Sequence, residues 1–400
     1  MPSYSKPPIA IIVSGVWPGY TRGYEIANLS VLRYMMKKTG ECIYIGPAEE
    51  KMDASIKSEF SRVKFIGLQL RRKPLAMRFV RSIFSEYPAV TERFWHASKK
   101  IGKTVYSNLN TANRKVLFFY EDLPASYLLF NLKAQFPEAM HVVRSHNVMR
   151  KGFGELASQP NPIKRWAWRS ELKKIDLYEK RIAKTAGRFI AISEDDATWY
   201  QKNMGIEPGG IASFYLADHF FKSFEHKSKR NSVLYLGSAD LRKGLSLKHF
   251  VNEVWPIVRS KVKDARLILG GRGTEQFHNP DDAIYGKGFI QSNEDFLDEG
   301  QIFMNPQTVG AGIKIKSLVA VAAQKLLIST SVGIEGTGLE GGVHCIVEDL
   351  PVKQAEAIIF YLNEPEQAQK VAVQGREFVQ EAFSEQAFSK QMDACIGDLL

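Results

Sequence analysis

Short β-branched runs, each followed by a longer amphipathic stretch, recur from one end of the chain to the other. A chain patterned this way has few options beyond parallel strands joined by crossover helices. The first run is Ile9-Ala10-Ile11-Ile12-Val13. It ends in Ser14-Gly15, passes through Trp17 to Gly23, and leads into a helix expected from about Tyr24 to Lys38, where Ile26, Leu29, Leu32 and Met36 keep helical spacing. Further strands are expected at Cys42 to Ile45, Val63 to Ile66, Val116 to Tyr120, His141 to Arg144 and Phe189 to Ile192. A second series opens at Ser232 to Gly237. It continues through a helix ending near Val258, strands at Arg266 to Leu269, Ile284-Tyr285 and Gln301 to Met304, a helix from about Lys314 to Gln324, strands at Leu326 to Ser329 and His344 to Val347, and a helical carboxyl end. The expected fold class is α/β, with two doubly wound sheets joined near Gly209 to Lys229. This gives a first domain over 1–212, a second over 213–378, and a terminal helix over 379–400 that packs back on the first.

The length of 400 residues suits two cores rather than one. Three cysteines, Cys42, Cys345 and Cys395, stand too far apart for a CxxC pair, which excludes a disulfide scaffold or zinc ribbon and fits a reducing cytosol. Apolar runs such as Ile9 to Val13 and Leu318 to Ala323 fall well short of the roughly 20 residues that span a bilayer. The opening MPSYSKPPIAIIVSGVWPGY lacks a basic region followed by a long apolar one, so it reads as a first strand after a short tail.

Net charge is +11, and its placement is more informative than its size. Residues 1–200 hold 33 Lys and Arg against 18 Asp and Glu, whereas residues 201–400 hold 21 against 25. The surplus therefore belongs to the first half and points to an anionic partner there. Arg71, Arg72, Lys73, Arg78 and Arg81 run without an acid among Leu70, Leu75, Met77, Phe79, Val80 and Phe84, and Lys164-Arg165-Trp166-Ala167-Trp168-Arg169 follows. Cations mixed with apolar residues on a helix suit an anionic membrane surface; a core-packed helix with a solvated face fits the same pattern.

Ligands of open parallel sheets bind beyond the carboxyl ends of the strands. Four loops in the second half combine glycine with charge or hydroxyl groups at that place. Gly237-Ser238-Ala239-Asp240-Leu241-Arg242-Lys243-Gly244 sets two cations before a helix, which suits a diphosphate. Gly270-Gly271-Arg272-Gly273 is a tight turn after the next strand. In Gly310-Ala311-Gly312-Ile313-Lys314-Ile315-Lys316, backbone N–H groups and two lysines meet at an expected helix start, where lysine opposes the macrodipole unless an anion is bound. Thr330 to Gly338 is the fourth.

In order, LGSADLRKG, VWPIVRSKVKDARLILGGRG, NPQTVGAGIKIKSLVAVAAQKLLISTSVGIEG and HCIVED resemble the nucleotide-sugar half of GT-B glycosyltransferases of the family-4-like group, the group 1 glycosyl transferases. More loosely, Tyr20-Thr21-Arg22-Gly23-Tyr24, Val142-Val143-Arg144-Ser145-His146-Asn147-Val148 and Phe189 to Asp196 resemble the same family's first half. The resemblance implies two Rossmann-like doubly wound domains facing across a cleft, the first on the acceptor side and the second binding the donor. It places the donor diphosphate against Lys243 and the Gly310 to Gly312 backbone, with Gly237, Ser238, Arg242, Gly271, Arg272, Ala311, Lys314 and Lys316 lining the donor site. His146 falls beside the transferred sugar, and Arg22, Gly23 and Asn147 on the acceptor side. The family's two glutamates, with seven residues between them, fall at Ala311 and Val319, and its arginine after the first strand of this half falls at Ser238, so three expected charges are absent.

Such a reaction needs cations and N–H groups on the leaving diphosphate, which these loops offer with neither metal nor cofactor. No DxD triad stands at a suitable loop. Family-4 members retain configuration and need no base; an inverting reaction requires one, with His146, Glu121 and Asp122 as candidates. The expected activity is hexosyl transfer from a nucleotide-diphosphate sugar to a glycan or lipid-linked acceptor in surface polysaccharide biosynthesis, in the cytoplasm or on the inner membrane face. Open alternatives are a GT-B protein that binds ligand or partners without catalysis, suggested by Ala311 and Val319, a sugar-nucleotide epimerase, and a basic nucleic-acid-binding protein. No recognition motif accompanies the charge, which argues against nucleic acid.

Overall fold

The computed structural model describes residues 7–20, 22–39, 41–70, 73–109, 114–158, 160–221, 231–239 and 243–400. Arg242, Arg71, Arg72 and the run Lys222 to Arg230 lie outside the described residues, as does the Lys243 side chain. The chain forms two compact units, one of Met1–Tyr215 with Glu385–Leu400 and the other of Leu216–Ser384.

The first unit holds a six-stranded parallel sheet of β1 (Ile9–Ser14), β2 (Glu41–Pro47), β3 (Val63–Leu68), β4 (Val116–Glu121), β5 (Met140–Ser145) and β6 (Arg188–Ala191), in the order β3-β2-β1-β4-β5-β6. The second repeats this arrangement with β7 (Ser232–Leu236), β8 (Arg266–Gly270), β9 (Ile284–Gly286), β10 (Ile302–Asn305), β11 (Leu326–Ser329) and β12 (Ile346–Val347), in the order β12-β11-β10-β7-β8-β9. Both are doubly wound α/β sheets, as their alternating pattern requires. The central strands are buried on both faces, which is why β1 reads as an unbroken apolar run.

The direction in which successive strands are added reverses between β1 and β4 in one sheet and between β7 and β10 in the other, while every strand stays parallel. At these switch points adjacent crossovers leave to opposite faces, which opens a crevice at the carboxyl ends of the strands. Helix Gly23–Thr39 follows β1 and buries Ile26, Leu29 and Leu32, three of the residues picked out by spacing. The terminal helix Glu385–Ile396 belongs to the first unit, where Phe388, Met392, Cys395 and Ile396 join Leu29, Leu32 and Tyr34 in one core.

One helix departs from its expected form. The single helix expected after β7 is built as Lys243–His249, a π-helical turn Phe250–Val254 and Trp255–Lys261. Pro256 has no N–H for the regular ladder, which accounts for the wider turn just before it. Among the described residues, no helix is long and apolar enough to cross a membrane.

Candidate functional site

At the first switch point, Glu121 ends β4 with Ser14 of β1 on one side and Arg144 of β5 on the other. Arg144 and His146 are two residues apart, so both side chains project to one side of the chain, and both reach Glu121. Arg144 Nε and Nη2 donate to Glu121 Oε2 at 3.2 and 3.0 Å, and His146 Nε2 meets the same oxygen. Burial alone would raise the Glu121 carboxyl, but Arg144 and then His146 outweigh it and hold the group below its ordinary value. Glu121 is fully buried, so its part is to position His146. An ionised Glu121 keeps the imidazole proton on Nε2 and leaves Nδ1, which has no partner among the described residues, as the basic nitrogen.

The rest of the crevice gathers around this pair. Tyr24, on the first turn after Gly23, stacks on the His146 ring with centroids 5.2 Å apart and planes 6° from parallel. Its hydroxyl accepts from Asn147 Nδ2 at 2.9 Å. Asp122 takes a left-handed backbone, φ 86°, and its N–H donates to the Arg144 carbonyl at 3.1 Å. Burial pushes its carboxyl up to about 6, against the pull of His146 and Arg93. Arg93 lies across Gly15, where an added Cβ would stand 2.0 Å from its guanidinium. Arg22 is exposed and paired with Glu25.

Beneath the His146 loop lies a buried carboxyl that the sequence did not single out. Glu179 accepts from the Met149 N–H at 2.9 Å and from the Tyr200 hydroxyl at 3.0 Å, and Tyr200 also meets Ser145 at 2.9 Å. Burial raises Glu179 to about 8. The unfolded chain loses this proton near the ordinary glutamate value of about 4.5 while the folded chain keeps it until about 8. Stability contributed here is therefore greatest below pH 4.5 and declines as pH rises to 8. Glu179→Gln, which stays neutral, is expected to flatten that decline in urea unfolding between pH 5 and 8; an unchanged slope would show Glu179 to be ionised in the native state.

At the second switch point the loops after β7, β8, β10 and β11 converge. Gly271 takes φ 121°, and an added Cβ would lie 2.2 Å from the Gly237 carbonyl, so only glycine lets the β7 and β8 loops meet backbone to backbone. The Gly237 N–H donates to Gly270 and the Ala239 N–H to Arg272, both at 2.9 Å. Ser238 sits between these two contacts in the same loop. Arg272 also lies over the exposed ring of Phe289, 5.6 Å from its centroid.

The β10 loop corrects one detail of the sequence reading. Lys314 and Lys316 were both expected in a first helical turn, but the helix runs Ile315–Ala322 with Lys314 as its N-cap. Lys314 is turned inward, where Nζ donates to the Gly312 carbonyl at 2.8 Å and to Glu335 at 3.2 Å. Turning inward removes this cation from the helix N-terminus, where it would oppose the dipole. It ties the Gly310 to Gly312 turn to the loop after β11. Lys316 remains in the first turn and lies over the Tyr235 ring at 4.8 Å, on the β7 side. Gly310 and Gly312 have φ of 135° and 74°, Ala311 is half-buried, and Val319 is buried on the helix.

Residues 230–364 match the family model of the group 1 glycosyl transferases. The matched residues make up most of the second unit. The glycine-bearing loops around the β7/β10 switch point all lie within the matched residues. Over 262 residues the chain is 27% identical to an uncharacterized 44.6 kDa protein in the cps region of Klebsiella pneumoniae, covering 62% of this chain and 66% of that one. It thus spans just under two thirds of that curated relative. Sucrose-phosphate synthase from Thermosynechococcus elongatus superposes with a TM-score of 0.72 at 16% identity, covering 98% of this chain and 99% of that one. Anabaena HepE in complex with UDP and glucose gives 0.68 at 11% identity, covering 98% and 100%. The fold is GT-B.

Against that fold, Arg144, Tyr24, Arg93, Glu179 and Glu335 are the residues that sequence reasoning missed. A signal existed for Arg144, since its two-residue spacing from His146 sets both on one side of the chain. None existed for Arg93 or Glu335, whose partners are distant in sequence.

Proposed function

We propose that the protein transfers a hexosyl group from a nucleotide-diphosphate sugar to a glycan or lipid-linked acceptor in surface polysaccharide biosynthesis. The observation that carries this reading is the backbone cradle at the β7/β10 switch point. There Gly271 packs on Gly237, the Gly310 to Gly312 turn precedes a helix without a side-chain cap, and Lys316 lies alongside. The positive end of that helix dipole, the Gly310 to Gly312 backbone and Lys316 together suit a diphosphate whose charge grows as the sugar leaves. Lys243 and Arg242, which follow the β7 loop in sequence, are assigned to the same anion. No metal and no cofactor is called for. The relative from the cps region and the UDP-bound HepE structure favour a polysaccharide context and make uridine donors the first to test.

In the first unit, His146 is assigned to the reacting end of the substrates, positioned by Glu121 and covered on one ring face by Tyr24. Retention of configuration is the family's outcome; the buried Glu121–His146 pair favours inversion, with His146 Nδ1 as base. The anomeric configuration of the product, read by NMR, separates the two.

Thermal unfolding with UDP-, GDP- and dTDP-sugars, together with slow hydrolysis of the donor, tests the whole reading. A matching donor at 100 times its Kd adds about 2.7 kcal/mol of stability. Stabilisation with hydrolysis supports the transferase. The uncharged Ala311 and Val319 favour one second reading, a GT-B protein that binds a nucleotide sugar without turnover, and stabilisation without hydrolysis or transfer would establish it. Silence across the panel would overturn both.

A further inference from the structure

We propose that helix Leu75–Ile83 and the exposed start of helix Pro162–Thr185 form a docking face for an anionic bilayer surface. This deepens the proposed function, resting on it for the purpose of docking but not for the docking itself. An amphipathic helix on a globular unit ordinarily turns its apolar arc inward. Helix Leu75–Ile83 does the opposite. At about 100° per residue, Met77, Val80, Ile83 and the following Phe84 share one arc of about 120°, and that arc faces solvent, with Val80 57% and Phe84 88% exposed.

The inward side is fixed by polar contacts. Ser82 is buried and donates to Glu171, Lys174 Nζ donates to the Ser82 carbonyl at 2.5 Å, and Phe79 meets the Trp168 ring edge-on at 4.8 Å. Rolling the apolar arc inward would break the buried Ser82–Glu171 bond. Through the same contacts the two helices lie side by side, and the second presents Ile163 and Trp166, three residues apart and 76% and 65% exposed. The two exposed apolar sets thus belong to helices that pack directly on each other.

Charge selects the occupant. Lys73 precedes the first helix, which carries Arg78 and Arg81, the latter paired with Glu92, and from 156 to 170 the sequence carries Lys164, Arg165 and Arg169 and no acid. Among the described residues, Lys164 and Arg169 have no carboxylate partner. A second copy of the chain would bring like charges together on this face, and a nucleic acid would leave the apolar arc in water. Apolar side chains with a tryptophan and a surround of cations match the interface of a membrane bearing acidic headgroups.

The test uses the full chain, sedimented with POPC:POPG (7:3) vesicles and with POPC vesicles at 0.1 and 0.5 M NaCl. Binding to the acidic vesicles is expected to be at least tenfold stronger than to POPC and to weaken at the higher salt. Val80→Glu with Phe84→Glu is expected to lower it at least tenfold while leaving the unfolding temperature unchanged. Three outcomes would overturn the proposal: no sedimentation, equal binding by the double variant, or a concentration-dependent dimer that the double variant dissolves. Vesicle binding alongside a silent donor panel would refute the transferase reading and leave this face standing; donor hydrolysis without vesicle binding would do the reverse.

Discussion

Arg144→Met is expected to destabilise the first unit by about 3–5 kcal/mol, the cost of leaving one member of a buried ion pair uncompensated. Arg144 is wholly buried beside Glu121 and also donates to the carbonyls of Ala27 at 3.0 Å, Ala212 at 3.3 Å and Ser213. Methionine fills much of the same volume but takes the guanidinium donor from three carbonyls and leaves Glu121 with His146 alone. For a unit of this size the loss corresponds to roughly 6–20 °C in Tm. Two features separate this cause from simple loss of packing. Without its largest counter-charge Glu121 is held down less, so its folded pKa rises and the deficit should shrink as pH falls through the carboxylate range. Adding Glu121→Gln removes the stranded charge while leaving a group to meet His146, and should recover a large part of the loss. A double variant as unstable as the single, at every pH, would show that the guanidinium serves only the carbonyls.

The same residues show what can be read from sequence and what cannot. Both sheets were legible because buried parallel strands must be apolar along their whole length, and Ile9 to Val13 or Leu326 to Ser329 have no other use. The cradle glycines were legible as turns, but not the reason for Gly271, since Gly237 lies 34 positions away and only the pairing of β7 with β8 brings its carbonyl there. Lys314 and Lys316 look alike in sequence. The fold separates them by turning one onto Glu335 and leaving the other on the β7 side, a difference set by where the loop after β11 lies. Helix Leu75–Ile83 marks the limit of periodicity most clearly: spacing identifies an amphipathic helix but not which way it faces. Its orientation depends on Glu171, which lies 89 residues from Ser82.

His146→Ala is expected to lower sugar transfer by about 10²–10⁴-fold, the range for removing a positioned acid–base group. The imidazole is 2% exposed, lies under Tyr24 and is held by a carboxylate that has no solvent access of its own, so any proton it accepts must be taken at Nδ1. His146→Gln tells chemistry from architecture. Its amide can still donate to Glu121 and fill the space under Tyr24, so Tm and donor binding should stay near wild type while kcat falls almost as far as in His146→Ala. Asp122, raised to about 6 by burial, supplies the control for pH. If its carboxylate is the base instead, the activity of the wild type falls as pH drops through 6, Asp122→Asn abolishes transfer, and His146→Gln stays active. The two variants therefore exchange outcomes between the two assignments. Full activity in both would remove the need for a base and leave the retaining course, in which the diphosphate cradle of the second unit carries the main electrostatic work of the reaction.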